Sequence, residues 1–318
     1  MCRCTALVPC RGKCNRSHPA VPVTACSPAD AAVALDLMAG VPAPLDPRAA
    51  LDAIGLLPDV EIDIADAALA FARVDAPDAD WQAAREELSA LARDAVALAR
   101  MIEPAEPGIR AEALAGLLVG RHGYRGDAET YDDLANANLI RVIERRKGLP
   151  VALGIIWLHA TRAAGWGAHG VDFPAHFLVA LQGKGTQLVV DVFDGGTPLD
   201  ARDLRALLKR VEGERAELRP GLLPPMSTRA VLLRLQNNIK ARRLDAGDLR
   251  GALMSAEDML RIAPDHAALW REAGLIHQRL GHIAAALRCF EQFLAIVPQG
   301  DAATRVRAVM AELRGRLN

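Results

Sequence analysis

Aromatic residues are scarce in this sequence of 318 residues. Phe, Trp and Tyr make up 4% of the chain, whereas 51% of it is hydrophobic. The core must therefore be built mainly from aliphatic side chains, and the many Ala and Leu residues favour closely packed helices. The length is sufficient for two compact domains of ordinary size.

The sequence also lacks an excess of charge of either sign. Its 38 Lys and Arg residues are matched by 39 Asp and Glu residues, which gives a formal net charge of −1. Nucleic-acid-binding domains usually concentrate basic side chains on one face or tail. The strongest basic run, Arg145-Arg146-Lys147, lies instead at a predicted helix end, where cations favour the exposed carbonyl groups. We therefore expect no nucleic-acid partner.

Long apolar runs are missing as well. No segment reaches the roughly 18 apolar residues that a membrane-spanning helix needs. The stretch Ala6-Leu7-Val8 is too short for the apolar region of a secretory signal. We expect no membrane partner and a cytoplasmic location, and the sequence leaves the oligomeric state open.

Cysteine is almost absent beyond the first 26 residues. Cys289 alone follows Cys26, so the folded body has no disulfide framework. The spacing of Cys2, Cys4, Cys10 and Cys14 matches no closed zinc module, although a small metal site there is an alternative. We interpret residues 1–30 as a disordered extension and Cys289 as a buried, unreactive thiol.

Helical periodicity dominates residues 81–146. Apolar residues recur there at helical spacing, beginning with Leu88, Leu91, Ala95 and Leu98. Two further helices are predicted over 110–121 and 127–146, and the second should stop at Gly148. Residues 27–80, which are rich in Ala, Pro and Asp, predict short helices with frequent breaks.

The pattern changes after Gly148. Pro150 suits the first turn of a buried helix that continues to Ala164. Three β-prone stretches follow, at residues 168–173, 177–181 and 187–193, and Asp194-Gly195-Gly196 should close the sheet that they form. An amphipathic helix is expected over residues 200–211. The predicted fold class is α+β, mainly helical with a small antiparallel sheet.

A period of 34 residues marks the C-terminal part, and 34 is the length of a tetratricopeptide (TPR) repeat. The second copy matches the repeat pattern at Trp270, Gly274, Ala286, Phe290 and Pro298. The first copy is degenerate, with Ala252 and Pro264 in register. We expect Trp270 and Phe290 in the core and a capping helix from Asp301 to Leu317. A plain helical hairpin is the alternative.

These patterns divide the chain into four segments: an N-terminal extension (1–30), an α+β domain (31–211), a Pro-rich linker (212–227) and the repeats (228–318). Two repeats and a cap cannot bury their apolar faces without neighbours. We therefore expect the first repeat, around Leu232, Leu235 and Ile239, to pack on the preceding domain.

Three motifs of the middle segment resemble a known family. They are Arg146-Lys147-Gly148-Leu149-Pro150-Val151-Ala152-Leu153, Phe173-Pro174-Ala175-His176-Phe177-Leu178-Val179, and Asp191-Val192-Phe193-Asp194-Gly195-Gly196. In this order, with TPR repeats behind them, they resemble the bacterial SirB family, which joins a transglutaminase-like core to C-terminal TPRs. Asn138 with Val142 upstream also resembles its pattern, and so does a stretch after the linker that contains Leu233, Leu235, Asn237, Asn238, Ile239 and Lys240. The resemblance covers roughly residues 80–300.

The resemblance implies a catalytic arrangement from which one member is missing. A transglutaminase-like core places a cysteine at a helix N-terminus, which lowers the thiol pKa, and a His and an Asp on adjacent strands. His176 matches the histidine and Asp191 the aspartate, so their side chains should lie within hydrogen-bond reach. Pro150, or Ala152 two residues on, stands at the nucleophile position, and Ser, Thr and Cys are absent from Gly148 to Ala160.

Three roles remain for the His176–Asp191 pair. It is a hydrogen bond that pins two strands, or part of a polar ligand pocket with Trp157, His159 or Trp166 nearby. The third role is hydrolysis through an activated water, assisted by Asp172, Asp194 or His169. We expect no cofactor and assign no metal site.

The missing nucleophile favours a non-catalytic regulatory or adaptor protein that binds a protein partner through its TPR groove. The alternative is a hydrolase, of amidase or peptidase type, that uses His176 and Asp191 with an atypical nucleophile or an activated water.

Overall fold

A computed structural model of the chain describes residues 46–219 and 221–316. The Cys-rich segment 1–30 lies outside the described residues. The first described elements are helices α1 (Pro47–Gly55), α2 (Ile64–Asp75) and α3 (Trp81–Ile102). Each is preceded by an aspartate, Asp46, Asp63 or Asp80, whose side chain accepts N–H groups of the first turn.

The segment before the buried central helix is less helical than its sequence predicts. Helix α4 (Pro107–Ala115) continues as a π-helical stretch, Gly116–Arg121. The prediction of one helix over 127–146 is wrong, because only α5 (Leu139–Arg145) is an α-helix there. The Asp127 carboxylate accepts hydrogen bonds from both the N–H and the hydroxyl of Thr130. These bonds hold the segment before α5 in a loop.

Helix α5 also ends earlier than expected. Asn138 caps its start by accepting the N–H of Arg141, and Arg146 ends it in the left-handed conformation, with φ of 56°. The chain then forms a two-residue parallel ladder between β1 (Arg125–Gly126) and β2 (Lys147–Gly148). Gly148 is therefore part of a strand rather than the helix terminator.

Helix α6 (Pro150–Ala163) lies at the centre of the core, with Pro150 in its first turn as expected. Most of its residues are buried, so the helix is apolar all round. The ring of Phe177 fits against Gly154, where any Cβ would clash with it. This close approach brings the strand that begins at His176 onto α6.

The sheet is antiparallel, in the order β3-β4-β5-β6, and confirms the predicted α+β class. Its strands are Ala168–Phe173, His176–Gln182, Gln187–Asp191 and Thr197–Leu199. The fourth strand was not expected, since the Asp194-Gly195-Gly196 turn leads into it instead of closing the sheet. Val179 of β4 pairs with Val190 of β5 in antiparallel register. His176, which begins β4, and Asp191, which ends β5, therefore lie at the same end of these two strands. Helix α7 (Ala201–Glu212) follows.

The predicted linker contacts the sheet. The N–H of Met226 donates to the carbonyl of Gly170 at 2.9 Å, and Pro225 forms an isolated antiparallel bridge with Val171. The segment therefore runs along β3 before the repeats begin.

Five helices make up the C-terminal part: α8 (Thr228–Asp245), α9 (Leu249–Ile262), α10 (Ala267–Arg279), α11 (Ile283–Ile296) and α12 (Asp301–Gly315). A Cβ at Gly274 would lie 2.5 Å from the ring of buried Phe290, so α10 and α11 pack as closely as a TPR pair requires. Ala286 is buried beside Phe290, and Pro298 follows the end of α11.

Trp270 departs from the expectation of a core residue. It is half-buried and packs at the edge of two apolar clusters. Its indole N–H donates to the carbonyl of Pro264 at 2.7 Å, which draws the ring to the surface of the repeat. Cys289 is buried as expected, and burial raises the pKa of its thiol.

The first repeat packs on the core as the sequence predicts. Leu232, Leu235 and Ile239 of α8 belong to the same buried apolar cluster as the residues of α2 and α6. Ion pairs join α9 to α1, with Arg48 to Asp258 at 3.0 Å and Arg261 to Asp52 at 2.8 Å. Within the described ranges, no helix is long and apolar enough to cross a membrane.

Candidate binding cleft around the His176–Asp191 pair

His176 and Asp191 form a direct hydrogen bond between the two expected strands. Nε2 of His176 lies 2.9 Å from Oδ2 of Asp191, and the two side chains are 17% and 15% exposed. The expected geometry of the pair is therefore confirmed. Because Nε2 is engaged by the carboxylate, Nδ1 is the ring nitrogen that remains for another partner.

The Asp191 carboxylate is fixed from its other side by the turn that follows β5. Its Oδ1 accepts the N–H of Phe193 at 3.0 Å and that of Asp194 at 3.3 Å. Burial alone would raise the pKa of this carboxyl, but the His176 side chain and the two N–H groups together lower it below its ordinary value. Asp191 is therefore a charged, immobile group that fixes the orientation of the His176 ring.

His176 lines a cleft of about 330 Å³ between the core and the first repeat. The lining residues come from the start of α6, the β3–β4 turn, the loop before α5 and helix α8; they are Tyr131, Leu149, Pro150, Val151, Ala175, His176, Phe177, Arg234, Asn237 and Asn238. The N-terminal turn of α6 thus shares one cleft with His176, as a transglutaminase-like arrangement requires.

Of the two residues that the resemblance matches to the nucleophile position, one lies in this cleft. Pro150 lies on the lining, whereas Ala152 is completely buried and lies behind it. None of the described residues that line the cleft is Ser, Thr or Cys. The cleft therefore combines the His176–Asp191 pair with the start of α6.

Helix α8 supplies a wall of the cleft through Arg234. Its Nη2 donates to the carbonyl oxygen of His176 at 2.7 Å, and its Nη1 forms an ion pair with Asp172. The guanidinium also lies 5.9 Å from the centre of the Phe177 ring. One arginine of the first repeat therefore holds the strand that carries the histidine.

The opposite wall is also held by α8. Arg242 lies over the ring of Tyr131 at 5.7 Å and donates to the carbonyl oxygens of Tyr131 at 3.2 Å and Asp132 at 3.1 Å. Tyr131 in turn packs edge-on against Phe193, with ring centres 5.8 Å apart. The cleft is consequently built by both halves of the molecule.

A strained residue lies on the rim. Pro174 and Ala175 form the tight turn between β3 and β4, and Ala175 has φ of 52°, in the left-handed region that an alanine rarely adopts. Ala175 lines the cleft directly before His176. The strain is maintained by the strands on either side of the turn.

The aromatic and histidine residues expected beside a ligand pocket are elsewhere. Trp157 is buried against Gly196, and Nε2 of His159 lies 3.0 Å from the carbonyl oxygen of Leu88. Trp166 stacks with Arg110 and lines a different cavity. None of these three side chains lines the cleft beside His176, because Trp157 and His159 lie on later turns of α6 and Trp166 follows its end.

The residues considered for water activation do not join the pair either. His169 lines the cavity that contains Trp166, and its Nδ1 lies 3.3 Å from Nε2 of Gln182. Asp172 is paired with Arg234, and the side chain of Asp194 is not on the lining of the cleft. Across the described part of the chain, no group of three His, Cys, Asp or Glu residues is placed to hold a metal ion.

Sequence reasoning missed four lining residues: Tyr131, Arg234, Asn237 and Asn238. The asparagines lie in a stretch that already resembles the SirB pattern, which was the available signal. No sequence signal marks Arg234 or Tyr131 as a site residue, because a polar residue on a helix or a lone tyrosine in a loop is ordinary surface composition.

Fold and cleft together define a transglutaminase-like core followed by tetratricopeptide repeats. The pattern of the transglutaminase-like superfamily matches residues 82–237, and that of the tetratricopeptide repeat matches residues 239–311. The first match includes Arg234 and Asn237, so the α8 wall of the cleft belongs to the same family pattern as His176 and Asp191.

Similar proteins from other bacteria identify the family to which this chain belongs. The chain is 33% identical over 194 residues to a UPF0162 protein of Xylella fastidiosa, covering 60% of this chain and 69% of that protein. A UPF0162 protein of Vibrio cholerae is 29% identical, with 76% and 89% covered. Protein SirB1 of Salmonella typhimurium is 25% identical, with 62% and 73% covered. The chain belongs to the UPF0162 family, and the resemblance to SirB is confirmed.

Proposed function

We propose that this protein is a non-catalytic regulatory or adaptor protein that binds a polypeptide partner along its repeats and in the transglutaminase-like cleft. One observation carries the proposal: Pro150 lies in the cleft at one of the two positions that the resemblance matches to the nucleophile, beside the His176–Asp191 hydrogen bond of 2.9 Å. A cleft that keeps its shape and polar groups without its nucleophile is suited to binding.

The repeats offer a face that continues from the cleft. Arg234, Asn237 and Ala241 lie on one side of α8, at spacings of three and four residues. A shift of 34 residues places Arg271 and Leu275 of α10 at the positions of Asn237 and Ala241. We call these five residues the repeat face.

Two observations support the repeat face as a binding surface. Lys240 of α8 forms an ion pair with Glu272 of α10, which sets the two helices side by side. Leu275 is 42% exposed, an apolar side chain between polar neighbours. TPR arrays bind extended segments of other proteins on such continuous surfaces.

Capture by the full-length protein tests the binding part. The immobilised wild type, Leu275→Asp and Met254→Asp are compared on native lysate. Met254 is a matched control, because it is 39% exposed on α9 and outside the repeat face. We expect a partner that the wild type and Met254→Asp retain and that Leu275→Asp loses. A partner set that is identical for all three proteins contradicts the proposed surface.

Turnover assays test the non-catalytic part. We expect neither hydrolysis of peptides nor transfer of a glutamine side chain to an amine, and no effect of iodoacetamide on the core. Hydrolysis by the wild type that His176→Ala abolishes would establish the hydrolase alternative.

A further inference from the structure

Arg271 of α10 carries a guanidinium that no carboxylate among the described residues neutralises. Its Nε is buried and has no hydrogen-bond acceptor in that part of the chain. The adjacent Glu272 is bonded to Lys240 instead, whereas Arg234, on the same repeat face, is already paired with Asp172. Because a buried N–H group without an acceptor is rare and costly, a group that accepts its hydrogen bond would bind at Arg271 favourably.

The position of Arg271 recurs at the repeat period. A shift of 34 residues forward from Arg271 and Leu275 leads to Arg305 and Val309 of α12. Helix α12 begins one repeat period after α10, and apolar residues of α10, α11 and α12 share one cluster. Helix α12 therefore takes the place of the first helix of a further repeat. We call Arg271, Leu275, Arg305 and Val309 the α10–α12 surface.

The α10–α12 surface combines positive charge with apolar area. Arg305 and Leu275 are exposed, and Val309 is half-buried. No carboxylate of the described residues pairs with Arg305 either. A guanidinium presents its N–H donors in a fork that matches the two oxygens of a carboxylate. None of the four residues is an aromatic on which a base could stack, which favours a polypeptide over single-stranded nucleic acid.

We propose that the α10–α12 surface binds an acidic segment of the partner polypeptide. Carboxylate side chains of the segment pair with Arg271 and Arg305. Its apolar side chains pack on Leu275 and Val309. The inference rests on the proposed function and specifies the chemistry of the partner, and neither the cleft at His176 nor the end of the bound chain takes part in it.

The test uses randomised dodecapeptide mixtures on the ¹⁵N-labelled full-length protein. All peptides are N-acetylated and amidated, so that no chain end is charged. One mixture contains Glu among neutral residues, the second has Gln in place of Glu, and the third has Lys. We expect the Glu mixture to shift the Nε–H resonance of Arg271 and the amide resonance of Leu275, with an apparent affinity about tenfold above that of the Gln mixture. The difference should shrink at high salt, because screening weakens exposed ion pairs.

Variants assign this preference to the two arginines. Arg271→Gln should reduce the affinity for the Glu mixture to that for the Gln mixture, and Arg305→Gln, at an exposed position, should reduce it in part. Arg271→Lys, which keeps the charge but not the fork, should be intermediate. Arg288→Gln is the matched control, because Arg288 is exposed on α11 at the position that Met254 holds on α9, and it should retain the preference. Circular dichroism checks that each variant is folded.

Equal affinity for the Glu and Gln mixtures overturns the proposal, and so does a preference for the Lys mixture. A preference for Glu that Arg271→Gln and Arg305→Gln both leave unchanged overturns it as well. A single-stranded oligonucleotide that shifts the same resonances with higher affinity would replace the acidic polypeptide by nucleic acid. Shifts from none of the mixtures also overturn the proposal. The capture comparison with Leu275→Asp decides the proposed function separately, because a partner without an acidic segment would still be lost there.

Discussion

The guanidinium of Arg234 donates a hydrogen bond of 2.7 Å to the backbone carbonyl oxygen of His176. The first repeat is thus bonded directly to the strand that carries the retained histidine. Together with the burial of Leu232 and Leu235 in the core cluster, this contact makes the core and the repeats mutually dependent.

Unfolding of the full chain should therefore be a single cooperative transition. Leu232→Ala should lower the free energy of unfolding by about 2–5 kcal/mol, because it leaves a cavity between α8 and the core. Chemical denaturation followed by circular dichroism measures both. Leu275→Ala, at an exposed position of the neighbouring helix α10, is the matched control and should change stability little.

Residues 226–318 expressed alone should be aggregated or partly unfolded, since the apolar side of α8 loses its cover. Light scattering and circular dichroism on the isolated segment test this. A segment as stable alone as in the full chain, with two separate transitions in the latter, would show that the repeats are an independent module.

Asp191 should make stability depend on acid pH. Its pKa is lowered in the folded protein, so its stabilising contribution is present above the unfolded value of about 3.9 and is lost as the pH falls through the lower folded value. Asp191→Asn should cost about 1–3 kcal/mol at neutral pH. The difference between the two proteins should shrink below about pH 4. A difference that is constant from neutral to acid pH would contradict the charged pair.

Ala175→Gly should stabilise the protein, by about 1 kcal/mol, because glycine adopts the positive φ of this turn without strain. Thermal unfolding is the measurement. Ala180→Gly, in the buried interior of β4, is the control. It should destabilise the protein, because it removes a buried methyl group and raises the conformational entropy of the unfolded chain. Equal destabilisation by both changes would show that Ala175 is not strained.

The parts of the fold that follow from local pattern could be predicted from the sequence. Helix α6 is such a case, because Pro150 and an unbroken apolar run define its start and its burial. The segment 127–146 is the opposite case. Its apolar residues have helical spacing, but the side chains of Asp127 and Asn138 bond to nearby backbone groups and divide it. Strand β6, three residues long with a central proline, is too short for an alternating pattern.

The candidate site divides in the same way. His176 and Asp191 were found because each lies in a motif with a fixed chemical role. Arg234 and Asn237 were not, because their position at the cleft depends on how α8 docks against β4 rather than on any local pattern. The composite nature of the cleft is a tertiary property.

The thiol pKa of Pro150→Cys tests most directly whether the cleft keeps the transglutaminase-like arrangement and lacks only its nucleophile. Alkylation by iodoacetamide, followed by mass spectrometry on the peptide that contains residue 150, gives the rate as a function of pH. Ala152→Cys is the matched control, because that position is fully buried and should stay unreactive.

We predict that the thiol introduced by Pro150→Cys has a pKa below the free value of about 8.5, because the start of α6 and His176 both favour the thiolate. Removing the imidazole in the double variant Pro150→Cys with His176→Ala should raise that pKa. A thiol pKa at or above the free value, unchanged by His176→Ala, would show that the start of α6 and the His176–Asp191 pair are not aligned.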